Sequence, residues 1–145
     1  MEKAEIAAKI KEGAVRVNTI IEIVGWPEEH VSKTLKLILD NIKKQKLDIL
    51  KEEVAEPKKI TEKAHSAFVE LEMLFPNLVS VIGFIFDYMP SSIEILEPDK
   101  ITENTQLMTD LMNDLIARLH QYDASLKQLK AINAILDKKL KEGKN

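Results

Sequence analysis

From Glu103 to Glu142 the chain carries neither glycine nor proline. A helix over those roughly 40 residues rises about 1.5 Å per residue and is on the order of 60 Å long. A domain built from the roughly 95 residues before it has a radius of gyration near 13 Å, so this helix is too long to lie wholly on its own domain. Its apolar residues recur at alternating steps of four and three. Met112, Leu119, Leu126, Asn133 and Leu140 fall at heptad position a, and Met108, Leu115, Tyr122, Leu129 and Leu136 at d. A helix of strict 3.6 periodicity drifts by about 20° per heptad, so a seam that holds register over more than four heptads is a coiled-coil signature. The expected dimer interface is Met112, Leu115, Leu119, Tyr122, Leu126, Leu129, Asn133, Leu136 and Leu140.

Asn133 is the lone polar residue at an a position, where a buried amide meets its mate only in a parallel, in-register pair. Arg118 at g and Asp123 at e would also pair between two parallel chains. Such an exposed pair contributes at most about 1 kcal/mol and serves as a register cue. Leu111 and Ile132 at g and Ile116 at e widen the stripe. A kink near Asp123 to Ser125 with a hairpin folded back on the sheet, or an antiparallel or higher-order bundle, are the alternatives.

The first hundred residues read as alternating strands and helices. Residues 3–12 suit a short helix that stops at Gly13. Residues 14–24 alternate, with Val15, Val17, Thr19, Ile21 and Ile23 on one face, and are rich in β-branched residues, which predicts a strand. Glu28 and Glu29 then suit the positive end of a helix dipole, and Val31, Leu35, Ile38 and Ile42 recur at helical spacing over 28–45. Residues 47–55 form a weaker strand of edge character, followed by a polar connection from Pro57 to Ala64. In 65–75, Ala67, Val69, Leu71 and Met73 share a face. Ala, Leu, Glu and Met also favour helix, but the period of two favours strand. Residues 77–89 are apolar on nearly every side, with Asn77 as N-cap and Pro90 as stop. Residues 91–97 alternate once more. The order β-α-β-β-α-β is that of a ferredoxin-like α+β domain, with both helices on one face of a four-stranded antiparallel sheet. The division expected is a ferredoxin-like domain over 1–100 and a coiled-coil helix over 101–145.

Charge and composition bound the function. Lys plus Arg number 21 against 24 Asp plus Glu, a net charge of -3, which offers no overall positive field to a phosphate backbone. There is no cysteine, so thiolate chemistry and thiolate metal sites are excluded, and a cytoplasmic location is expected. The longest nearly apolar run, Leu78 to Phe86, is far short of the roughly 20 residues that span a bilayer. The N-terminus lacks the apolar core of a signal peptide.

No set of residues converges on a reaction. Glu70 and Glu72 share a strand face about 7 Å apart, with Glu22 and Glu94 joining them, but no partner nucleophile is evident and a solvated sheet face accounts for them. His30, His65 and His120 carry no serine-hydrolase elbow and no metal-ligand spacing. Phe68 on the open face is surrounded by carboxylates, which argues against RNA binding there. The last 19 residues hold Lys127, Lys130, Lys138, Lys139, Lys141 and Lys144 against Asp137 and Glu142, a net of +4. Lysines stabilise a helix C-terminus and could also touch an acidic partner. Asp87, Tyr88, Ser91 and Ser92 offer polar groups at a strand–helix junction, a candidate ligand or partner contact. Trp26 beside Pro27 is expected to cover the core.

The segments LVSVIGFIFDYMPSSIEILEPDKI and DLIARLHQY resemble the end of the WYL-domain C-terminal extension, a small ferredoxin-like module of bacterial transcription regulators. That resemblance implies dimer contact and regulation. The stretches GAVRV, IEIVG, AEPKK, FDYMPSSIEILEP and ARLHQYD are similar to an uncharacterised family of short archaeal proteins, which implies a free-standing protein and no particular chemistry. The expectation is therefore a non-enzymatic homodimeric interaction, scaffold or regulatory module with no cofactor and no metal. A protein is the partner expected beyond the second copy. A small-molecule-sensing domain, or weak nucleic-acid association through the Lys-rich end, is the alternative.

Overall fold

The computed structural model describes residues 1–144. It is an α+β protein of two compact units, Met1–Ile101 and Thr102–Asn145. The first unit begins with α1 (Lys3–Lys11). The chain leaves α1 through Gly13 at φ +107, a left-handed conformation that glycine adopts without Cβ strain. β1 (Val15–Gly25) follows, with Val15, Val17, Thr19 and Ile21 buried and the residues between them facing outward. Period-two burial of β-branched residues is what a strand with one covered face requires.

α2 (Glu28–Lys44) buries Val31, Leu35, Leu39 and Ile42. Ile38, expected in that stripe, lies half-buried at one margin of it, and Leu39, one residue and about 100° further round the helix, is buried at the other. α3 (Leu78–Tyr88) opens with a capping box. The Asn77 side chain accepts from the Ser80 backbone N–H at 2.9 Å, and the Ser80 hydroxyl lies 3.3 Å from the Asn77 N–H. Two otherwise orphan donors are thereby satisfied.

The sheet is five-stranded and antiparallel. β2 (Asp48–Val54), β4 (Ala64–Phe75), β1 and β5 (Ser92–Glu97) lie side by side in that order, and β3 (Lys58–Thr61) also pairs with β4. β1 and β4 match continuously from Val15↔Phe75 to Gly25↔His65. The stretch 65–75 is thus a strand.

The connection expected from Pro57 to Ala64 is corrected. Residues 58–61 continue the β2 arm as β3, and the chain reverses at residues 62–63 to enter β4. Pro57 lacks the N–H needed to continue the ladder, which divides one long arm into two strands. Every residue of β3 is exposed, so backbone pairing rather than burial holds it.

α2 and α3 both pack on β1 and β4. Their buried residues join the inner side chains of the strands in one core, in which Phe75 and Phe84 meet edge to face at 5.4 Å. Thr19, the polar residue at its centre, is satisfied by donating from Oγ1 to the Ser92 carbonyl at 2.9 Å.

The second unit holds α4 (Thr105–Glu142), a helix of 38 residues. It is continuous through Asp123, Ala124 and Ser125. The Asn104 side chain caps it by accepting from the Gln106 N–H at 2.7 Å.

Candidate interaction surfaces

None of the residues of α4 is buried. Leu119, Leu126, Leu129, Leu136 and Leu140 are each more than half exposed, as is Met112, and Leu115 and Tyr122 somewhat less. Asn133 is exposed among them. Monomeric proteins rarely leave so long a contiguous apolar stripe in water, because burying a leucine side chain fully is worth about 1.5–3 kcal/mol. The charges flanking the seam are engaged within the helix. Arg118 donates from Nε to Asp114 at 3.2 Å, and Lys127 lies 2.7 Å from Asp123.

The second surface is the outer face of the sheet. Arg16 on β1 bridges the two strands beside it, donating from Nε to Glu72 at 2.7 Å and from Nη1 to Glu97 at 2.9 Å. These bonds, to Glu97 first and then Glu72, hold the guanidinium pKa above its ordinary value. Asn18 donates to Glu70 at 2.7 Å, and the Ser66 hydroxyl donates to Glu22 at 2.7 Å. Glu72 and Glu94 flank Asn18 in register on either side. The carboxylates singled out in the sequence do share one face, and three of the four accept a hydrogen bond from a neighbouring strand. Phe68 and Val24 stand exposed toward the far end of the same face.

The junction residues are committed to holding the chain. The Ser91 N–H and hydroxyl both donate to the Ile20 carbonyl, at 2.8 and 3.1 Å, and the Ser92 carbonyl accepts from Thr19. The Tyr88 hydroxyl accepts from Gln45 Nε2 at 2.8 Å, and burial pushes its phenol pKa up. Asp87 is exposed.

Of the three histidines, His30 and His120 are exposed and His65 is buried. Its ring lies 5.6 Å from that of Trp26, and its Nε2 is 3.6 Å from the Glu28 carboxylate. Its Nδ1 is buried without a hydrogen-bond partner. Trp26 is 56% exposed, so it caps His65 rather than sealing the apolar core.

Among the described residues, clefts open on the first unit at two places of note. One, of about 430 Å³, lies between α1, the end of α2 and the start of β2, with Lys9, Glu12, Lys46 and Asp48 on its walls. Lys9 there donates to Asp48 at 2.7 Å. The other, of about 290 Å³, separates α2 from the bend at Val54 to Pro57. Neither is lined by Asp87, Tyr88, Ser91 or Ser92. The larger cleft escapes sequence reasoning because its walls come from separate segments with no motif in common. Among the described residues no group of three or more acidic or histidine side chains converges to hold a metal ion, and no helix is long and apolar enough to cross a membrane.

No curated protein and no solved structure matches the chain. The WYL-domain extension is returned by none of the comparisons. A family model does match, over residues 16–144. That span leaves out α1 and takes in every strand of the sheet together with α2, α3 and the exposed seam of α4: the chain belongs to the MJ0538 family.

Proposed function

We propose that this chain is a non-enzymatic, homodimeric interaction module, a ferredoxin-like domain joined to a parallel two-stranded coiled coil. The observation that carries the reading is the heptad seam of α4, uncovered along 38 residues of helix. The occupant it fits is a second copy of the same helix. In a parallel pair Asn133 meets Asn133, Leu111 at g meets Ile116 at e, and Arg118 meets Asp123. An antiparallel pair centred on the helix would instead oppose the two Asp123 carboxylates and place Asn133 against Leu115, which leaves its amide without a polar mate. The ferredoxin-like reading is supported by the order β2, β4, β1, β5 with α2 and α3 as the intervening helices. Beyond the helix, the outer sheet face carries more carboxylates than cations and suits a protein partner that presents Lys or Arg.

Light scattering coupled to size exclusion over a range of concentrations tests this. The result expected is a mass near twice 16.5 kDa. A mass that stays at one chain at all concentrations removes the dimer and the function built on it.

A further inference from the structure

We propose that the cleft between α1, the end of α2 and the start of β2 is a binding site for a small zwitterion with an apolar body, of the α-amino-acid class. Its volume is about 430 Å³, within the range of small-molecule sites. Leu47, Leu74 and Phe75 supply apolar lining. The charges around it come in both signs. Lys9 and Asp48 are already bonded to each other at 2.7 Å. Glu12 makes no ion pair among the described residues, although its charge helps to hold the Lys9 pKa up. The Lys46 side chain has no hydrogen bond or ion pair among the described residues. One cation without a partner and one anion without an ion pair, beside a cleft of mixed apolar and polar lining, match a ligand that carries one charge of each sign. The last carbonyls of α2, which ends at Lys44 with Gln45 as its cap, form the negative end of a helix dipole and favour an ammonium group nearby.

The backbone fixes where that cation stands. Lys46 sits at φ +57, directly after the α2 cap, where glycine is the usual residue because a Cβ is strained there. A lysine at that position stays in the costlier conformation and sends a long cationic side chain from the cleft wall. The same left-handed stop ends α3 at Met89, at φ +45, so what bears on the cleft at Lys46 is the charge it carries there. The inference does not depend on the dimer, since all of these groups belong to one copy of the first unit.

The test uses the full chain, labelled for amide spectroscopy, and four probes: L-phenylalanine, L-leucine, 3-phenylpropionate and 2-phenylethylamine. The amino acids are expected to shift the amides of residues 12–14, 45–48 and 74–75. Each single-charge analogue is expected to bind at least about tenfold more weakly. Lys46→Gln, which keeps the backbone cost and removes the charge, should weaken amino-acid binding by about tenfold or more. Lys46→Gly should do the same while raising the melting temperature of the ligand-free protein by about 2–6 °C. Silence at these amides with both amino acids up to about 20 mM, equal binding by 3-phenylpropionate, unchanged affinity in Lys46→Gln, or a lower melting temperature in Lys46→Gly would each overturn the proposal.

Discussion

Replacing Leu126 and Leu129 by Asp tests the seam at two successive positions, a and d. In the single chain these side chains are 56% and 58% exposed, so just over half of each remains to be covered by a partner. Full burial of a leucine is worth about 1.5–3 kcal/mol, and the remaining half contributes about 1 kcal/mol each. Two positions on two chains then remove about 4 kcal/mol from association, or about a thousandfold in the dissociation constant. Four new carboxylates facing one another across a dry seam weaken it further. Because α4 contributes no buried residue, the first unit should keep its melting temperature. Light scattering at about 1–100 µM should then show a wild-type dimer and a variant monomer, with helix content falling only where α4 frays. A double variant that elutes as the wild-type assembly would refute the seam as the contact, and a variant that loses the sheet would refute the expectation that the first unit folds without the seam.

Three further outcomes follow from the first unit. Phe84 is 2% exposed and packs on Phe75 and Tyr88, so Phe84→Ala should cost about 3–5 kcal/mol in urea unfolding, and a loss below about 1 kcal/mol would mean that the site collapses freely. Gly13→Ala should destabilise by about 1 kcal/mol although a Cβ there meets nothing within 4 Å, because the cost lies in its φ of +107 and not in contact; an unchanged midpoint would contradict this. The Lys9 pKa is raised above 10.5, first by the hydrogen bond to Asp48 and also by the charges around it. The contribution of that pair is therefore present below pH 10.5 and is lost as pH rises through the higher folded value. Amide exchange in α1, compared with β1 as an internal reference, should accelerate above that pH in the wild type and show no such step in Lys9→Gln.

Much of this fold is legible in the sequence wherever burial imposes a period. β1 and β4 alternate because the helices cover one of their faces, α2 repeats at 3.6 because one of its sides is covered, and Asn77 announces the start of α3. β3 left no such trace. Lys58, Lys59, Ile60 and Thr61 are all exposed, and a strand held by backbone bonds alone has no reason to alternate. The same limit applies to the surfaces. The α4 seam is readable because one continuous helix must hold a heptad register, and the Glu70 and Glu72 face because a strand sends every second residue the same way. The cleft at Lys46 is assembled from residues far apart in the chain, and the left-handed backbone of Lys46 is invisible to composition. His65 is likewise readable as a histidine beginning a strand, but not as one tilted against Trp26 with its Nδ1 buried.

The position of β1 has a consequence for the newborn chain. β1 is the first strand to be made, yet both of its neighbours, β4 and β5, come later. The nearest pairing, Gly25 with His65, needs roughly 40 further residues, several seconds of synthesis at about 5–20 residues per second. For that interval a Val- and Ile-rich segment has both edges open. The long hairpin of β2, β3 and β4 is local in sequence, whereas β1 gains its first partner only after the second arm of that hairpin has been made. Only when β5 arrives is the second edge of β1 sealed.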